Sequence, residues 1–341
     1  MKAARVHERG KIVIEEVPVP EVGEKEVLIA VHRVGICGTD VGVVGGHVSA
    51  TYPVTLGHEY SGVVAKLGSP RLTPHLKEGD PVVSSGGWGC GECELCRQGM
   101  DLYCTNRRSL GRNVDGCMAE YIKVDYRSVS KLPPAISLDE AQNIVNIGCS
   151  VRAVRKLDLA KIKTAAVIGP GNAGLMILQL LKMGGVERVV MAGTRDFRLE
   201  MARRFGADEV VNIRREDPVK RIRGWFPHGV DAVCESSGTT GGLQSAFDVV
   251  RSNGSVVVFS IITEKMQEFD PSFLYLKEPI IYGSKGAAGA FPEAIRLLEE
   301  KKLQILPMIT HRFPLAETAK AFQVFADKVA DALRIVIDVR P

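Results

Sequence analysis

This chain has no long apolar run. Nowhere do eighteen apolar residues follow one another, and a membrane-spanning helix needs about that many. Blocks of like charge are missing too. Forty-four Lys and Arg stand against 40 Asp and Glu, a net charge of +4 dispersed along the sequence. That balance argues against nucleic acid or an anionic membrane as a partner. The densest basic stretch, RREDPVKRIR (214–223), is interrupted by acids and reads as a solvated helix face. No internal repeat, low-complexity segment or flexible linker occurs. The opening MKAARVHERGKIVIEEV is too polar for a secretion signal. The expected location is the cytoplasm, where the eight cysteines serve as thiols or metal ligands rather than disulfides.

What is present points to two domains. A chain of 341 residues is too long for one ordinary core, and 35 glycines imply many tight turns. Four of the cysteines crowd into CGECELCRQGMDLYC (90–104). Zinc takes four ligands in a tetrahedron, with Zn–S near 2.3 Å, and short C-x-x-C turns let thiolates converge on one ion. Cys90, Cys93, Cys96 and Cys104 complete such a set with no position left for substrate. The loop is read as a structural zinc site, and the chemistry must lie elsewhere.

The first half alternates short β-like runs with glycine (EVLIAVHRVGICG, SGVVAKLG, DPVVSSGG, MAEYIKV) and suits a β-rich domain. From about Lys161 strands and helices alternate, and the strands look buried on both faces. That pattern is the mark of a parallel sheet with crossover helices. The last strand–helix pair of this kind gives way near Ser284 to two helices and a terminal strand, ALRIVIDV. Within VIGPGNAGLM the spacing G-x-G-x-x-G falls on Gly169, Gly171 and Gly174, after a strand and at the start of a helix. In that setting it predicts a dinucleotide pyrophosphate held over Gly169, Gly171, Asn172, Ala173 and Gly174. The second strand ends at Gly193, where NAD-binding folds carry an acid for the ribose 2′-hydroxyl. Thr194, Arg195 and Arg198 follow and suit a 2′-phosphate, so NADP is favoured over NAD. The rival reading takes Asp196 as the ribose acid.

GICGTD (35–40) places Cys37 just after a strand, and LGHEYSGVV adds His58 and Glu59. A cysteine, a histidine and an acid could hold a second zinc with one position open. Taken in order, VGICGTD, LGHEYSGVV, GCGECELC…C and GPGNAG resemble the zinc-dependent medium-chain alcohol dehydrogenases over essentially the whole chain, nearest the polyol, sugar and threonine branch. The resemblance implies a GroES-like catalytic domain (1–150 plus 285–341) with an inserted doubly wound Rossmann domain (151–284). It implies a homo-oligomer, dimer or tetramer, and two zinc ions per chain. Cys37 and His58 would bind the catalytic zinc, Glu59 would bind it or stand beside it, Asp40 would orient His58, and Thr39 would pass the substrate proton. The implied reaction is hydride transfer between an alcohol and the nicotinamide.

Two departures stand out. The family's further zinc ligand upstream of the Rossmann strand falls on Val145, which cannot bind metal; Asn146, Cys149, water or Glu59 would have to serve. A relay histidine falls on Gly42; His47 could substitute, but the favoured reading takes it as a loop histidine only. Trp88, Tyr52, Cys117 and Lys285 are candidates for the substrate pocket lining. Three functions compete. The first is a zinc- and NADP-linked alcohol or polyol dehydrogenase, with an aldose dehydrogenase as its nearest variant. The second is a metal-free reductase that keeps only the four-cysteine zinc. The third is a zinc-ribbon module binding polyanions through Arg97, Tyr103, Arg107, Arg108 and Arg112, which leaves the glycine fingerprint unexplained.

Overall fold

The computed structural model describes residues 1–267, 269–327 and 329–340, apart from the side chain of Ala330. The chain divides into two compact units, Met1–Val145 with Phe291–Pro341, and Asn146–Ala290. No helix among the described residues is long and apolar enough to cross a membrane.

The first unit is built on the strand Glu26–Gly35. Its apolar positions Val27, Ile29, Val31 and Val34 are fully buried in the core. It pairs antiparallel with Tyr60–Leu67, with Tyr121–Asp125 and with Arg334–Asp338. The C-terminal strand thus sits in a sheet begun by the N-terminal third of the chain. The strand Ile309–Pro314 runs parallel to it at the edge of this seven-stranded sheet. Sequence patterning gave no strand there. Its residues are half-buried or exposed, so ITHRFP shows no apolar alternation.

The second unit is a six-stranded parallel sheet. Its spatial order is Glu209–Asn212, Arg188–Gly193, Thr164–Ile168, Val230–Glu235, Val250–Val258 and Ile280–Gly283. Ala165, Ala166 and Val167 in the central strand are fully buried, which explains the unbroken apolar run. Helices Asn172–Met183, Asp196–Arg204, Pro218–Trp225 and Thr240–Val249 make the crossovers. Patterning extends the last of these helices through VRSNG. In the structure it ends at Val249, and the chain enters a strand whose register shifts before Ser255, with Asn253 at a left-handed φ of 55°. The fold is α/β, a GroES-like unit with a Rossmann-type unit.

Candidate active site

The first cluster grows out of a helix start. Cys37 is the N-cap of the helix Gly38–Val44, and Asp40 lies three residues in. One Asp40 oxygen accepts the Cys37 backbone N–H at 2.9 Å, half of a capping box. The other oxygen meets His58 Nδ1 at 3.0 Å. This is the physical content of C-G-T-D: one carboxylate, itself 1% exposed, fixes both the loop that carries Cys37 and the ring of His58. A backbone bond from Gly35 N–H to the Glu59 carbonyl, 2.9 Å, brings the two segments together.

With Nδ1 engaged, Nε2 of His58 faces the cluster, 3.8 Å from Glu59 Oε1. Ligand atoms of Cys37, His58 and Glu59 all lie within 4.8 Å of one another. Burial pushes the Cys37 thiol up, and the Glu59 charge adds to this. Burial pulls on His58 in the opposite sense, but the Asp40 carboxylate prevails and holds the imidazole well above its ordinary value. Both protons would be displaced by a divalent cation, which needs thiolate and neutral imidazole. Thr39 is half-buried in the first turn of the same helix, between Cys37 and Asp40.

A relay histidine has no room at position 42. A Cβ on Gly42 would lie 2.5 Å from Val48 Cγ2. His47 is exposed and its ring packs near Gly45. Val145 is half-buried in the helix Ile144–Val154, and Asn146 and Cys149 follow in the unit Asn146–Ala290. Of the suggested lining residues, Tyr52 spends its hydroxyl on the Val43 carbonyl at 2.6 Å, and Cys117 is wholly buried against Gly57. Trp88 is half-buried and Lys285 is exposed.

The second cluster is local. Ligand atoms of Cys90, Cys93, Cys96 and Cys104 gather within 4.8 Å. Cys93 caps the one-turn helix Glu94–Arg97, and its N–H points at Cys90 Sγ at 3.4 Å. Backbone N–H groups at Glu92 and Cys93 draw the Cys90 thiol down to about 6, while Cys96, despite the Gly91 N–H, is pushed up to about 12 by burial and the neighbouring thiols, so the four share charge unequally until a metal draws all of them to thiolates.

In the other unit the glycine turn has the form a dinucleotide demands. Gly169 sits at φ 106°, and a Cβ there would lie 2.7 Å from Ser237 N. A Cβ on Gly174 would lie 2.0 Å from the Gly169 carbonyl, so helix and strand touch. Gly171, the N-cap of Asn172–Met183, faces open space. That is the backbone a pyrophosphate can approach. At the second strand tip, a Cβ on Gly193 would lie 2.2 Å from Pro170 Cδ. The proline ring fills the place of a side chain, so an acid is excluded there. Thr194 is exposed, with Arg195 and Arg198 half-buried beside it. The Asp196 carboxylate is occupied by Asn212 Nδ2 at 2.8 Å and Arg215 Nη2 at 2.5 Å.

Residues 23–134 match the model of the alcohol dehydrogenase GroES-like domain, and residues 173–300 that of the zinc-binding dehydrogenase domain. Sorbitol dehydrogenase of Bacillus subtilis (strain 168) is 31% identical over 99% of this chain and 97% of its own. The chain belongs to the zinc-binding medium-chain alcohol dehydrogenase family. A protein of Sinorhizobium meliloti 1021, described as a zinc-binding dehydrogenase and solved bound to NADP, superposes with a TM-score of 0.93. It is 27% identical, over 99% of this chain and 98% of its own. An Escherichia coli CFT073 alcohol dehydrogenase solved with NADH matches at a TM-score of 0.90 and 26% identity, over 99% of both chains. As a family member, this chain is an oxidoreductase of alcohols or polyols.

Patterning did not find Arg334, Gln142 or Glu235. Arg334 and Glu235 are fully buried polar ends of apolar strands, and Gln142 is buried beside Arg334. The one available signal was a single arginine or glutamate interrupting an otherwise apolar run.

Proposed function

We propose that the enzyme is a zinc- and NADP-dependent dehydrogenase that interconverts a secondary alcohol, polyol or sugar with its carbonyl compound. The observation that carries this reading is the cluster of Cys37, His58 and Glu59. It offers one sulfur, one nitrogen and one carboxylate oxygen within 4.8 Å, three protein donors where zinc takes four, so a position remains for the substrate oxygen. The four-thiolate loop offers a closed set for a second, structural zinc. When bound, the zinc supplies Lewis acidity toward the alcohol oxygen, and the nicotinamide takes the hydride.

The chain's own residues do the rest. Asp40 holds His58 in the tautomer that presents Nε2. Thr39 accepts the substrate hydroxyl proton at Oγ1 and passes it outward. Gly169, Gly171, Asn172, Ala173 and Gly174 cradle the pyrophosphate. Thr194, Arg195 and Arg198 take the 2′-phosphate, because Pro170 shuts out a strand-tip acid and Asp196 is bound to Asn212 and Arg215. A homo-oligomer belongs to the reading and has support in exposed apolar side chains, Tyr275 85% and Leu276 69% on the helix Ser272–Lys277 and Ile280 51% on the edge strand Ile280–Gly283. A cytoplasmic location belongs to it as well.

Elemental analysis of the purified protein and a screen of alcohols, polyols and aldoses with NADP and NAD test the proposal together. Two zincs per chain and turnover with NADP are expected. The metal-free reductase reading is favoured by Val145 at the family's ligand position. One zinc per chain, unaffected by Cys37→Ser, would establish that rival.

A further inference from the structure

Arg334 heads the fully buried side chains by size, at 1% exposure. A guanidinium in that position is costly unless it is paired and its donors are satisfied. Every direction is accounted for. Nε donates to Gln142 Oε1 at 2.9 Å, Nη2 to the same oxygen and to the Gln142 carbonyl, and Nη1 to the Ile36 carbonyl at 3.3 Å. Gln142 is itself tethered, its amide donating to the Asp139 carbonyl at 3.0 Å. The remaining contact is with Glu59, whose Oε2 lies 2.5 Å from Nη1.

The fork reaches Glu59 by crossing the strand Glu26–Gly35 at its last residue. A Cβ on Gly35 would lie 1.7 Å from Nη2 and 2.0 Å from Cζ. No side chain fits there, so Gly35 is a notch cut for the guanidinium. Glu59 is thereby split in function. Oε2 is held from behind by the C-terminal strand, while Oε1 is turned toward His58 Nε2. The charges agree. Asp40, Glu59 and a Cys37 thiolate are three formal negatives, Arg334 is one positive, and a divalent cation brings the buried set to neutrality.

We infer that Arg334 is the positioning residue for Glu59, aiming one carboxylate oxygen at the metal and keeping the other off it. This rests on the reading of Cys37, His58 and Glu59 as a zinc site. It gives the C-terminal strand a part in metal binding although it contributes no ligand. Partners that orient a ligand in this way are typically worth about 10–100-fold in metal affinity.

The test is zinc affinity, measured by competition with a chromophoric chelator well below the melting temperature. The proteins are the wild-type enzyme, Arg334→Gln, Arg334→Lys, Glu59→Gln and the Arg334→Gln/Glu59→Gln pair. In the wild type, a tighter zinc on the four-thiolate loop and a weaker zinc at Glu59 are expected. Arg334→Gln should weaken only the second, by about 10–100-fold. Arg334→Lys, which keeps the charge but not the fork, should recover part of the loss. In the Glu59→Gln background Arg334→Gln should add nothing, since its effect passes through Glu59.

Unchanged affinity for the second zinc in a folded Arg334→Gln protein overturns the inference alone, as does a full additional loss in the double variant. A wild type that holds zinc only at the four-thiolate loop overturns the inference together with the reading beneath it. If Arg334→Gln does not fold, Arg334→Lys carries the measurement, and wild-type affinity in that variant counts against a role for the fork.

Discussion

The four-cysteine loop and the Cys37–His58–Glu59 cluster are both convergent sets of side chains that could hold a metal ion, in the same unit, and they are built in opposite ways. The loop takes its four donors from fifteen consecutive residues, shapes them with its own turns, and leaves three of the four partly open to solvent. The second cluster takes three donors from two separate segments. Each is positioned by a further buried group: Asp40 for Cys37 and His58, Arg334 for Glu59. A site that supports itself can staple a lobe. A site that must hold a reactive position open cannot fill its own shell with ligands, and it borrows rigidity from the surrounding sheet. On the proposed reading, that difference is what would separate a structural site from a catalytic one.

The largest expected effect tests that separation directly. Cys37→Ser or His58→Ala should remove one zinc and several kcal/mol of transition-state stabilisation, about a thousandfold in kcat/KM, with the melting temperature little changed. Cys93→Ser should do the reverse, lowering the melting temperature while the folded fraction keeps kcat/KM within a few-fold. Steady-state kinetics beside thermal melts read both quantities. The comparison fails if a folded Cys93→Ser enzyme is as inactive as Cys37→Ser.

A smaller effect is expected in the other unit, where the proposed dinucleotide would be held by backbone and by peripheral charges. Arg195→Ala should raise KM for NADP by about 10–100-fold, the worth of one or two charge-assisted hydrogen bonds, and leave KM for NAD nearly unchanged. Gly193→Asp alone should not create NAD preference, because Pro170 occupies the space. Equal losses for both cofactors in Arg195→Ala would move the 2′-phosphate site elsewhere.

The smallest effect concerns stability rather than chemistry. Asp231 ties the starts of two neighbouring strands: its Oδ2 accepts the Lys163 and Thr164 N–H groups, and its Oδ1 meets Arg251 Nε at 2.6 Å. Burial opposes the charge, but Arg251 and these donors hold the carboxyl below its usual range. A depressed folded-state value means stability that is present above the unfolded carboxyl range, near pH 4, and lost as pH falls through the lower folded value. Asp231→Asn should cost about 2 kcal/mol at pH 7 and progressively less in urea titrations taken below pH 4. A loss that stays constant down to pH 2 would mean the charge is not what matters.

Much of this is legible in the sequence. The four cysteines, C-G-T-D, G-H-E and the glycine fingerprint are contiguous, and each is a local geometric necessity. Asp40 caps the helix it starts, and Gly169 makes the turn it sits in. Alternating apolar strands and helices gave the parallel sheet for the same reason. The edge strand Ile309–Pro314 escaped notice because an edge position imposes no apolar pattern. Arg334 escaped because its meaning lies with Glu59, 275 residues away.

The class of fold follows from the sequence, which also marks the motifs C-G-T-D, G-H-E, the four-cysteine loop and the glycine turn as candidate sites, since each motif is local to a few residues. Only the tertiary structure showed that Pro170 closes the strand tip at Gly193, that Val48 leaves no room for a histidine at position 42, and that Gly35 is open because a guanidinium passes through it. Each of these is a matter of two distant segments competing for the same few ångströms of space, and side chains meet in that way only after the chain has folded.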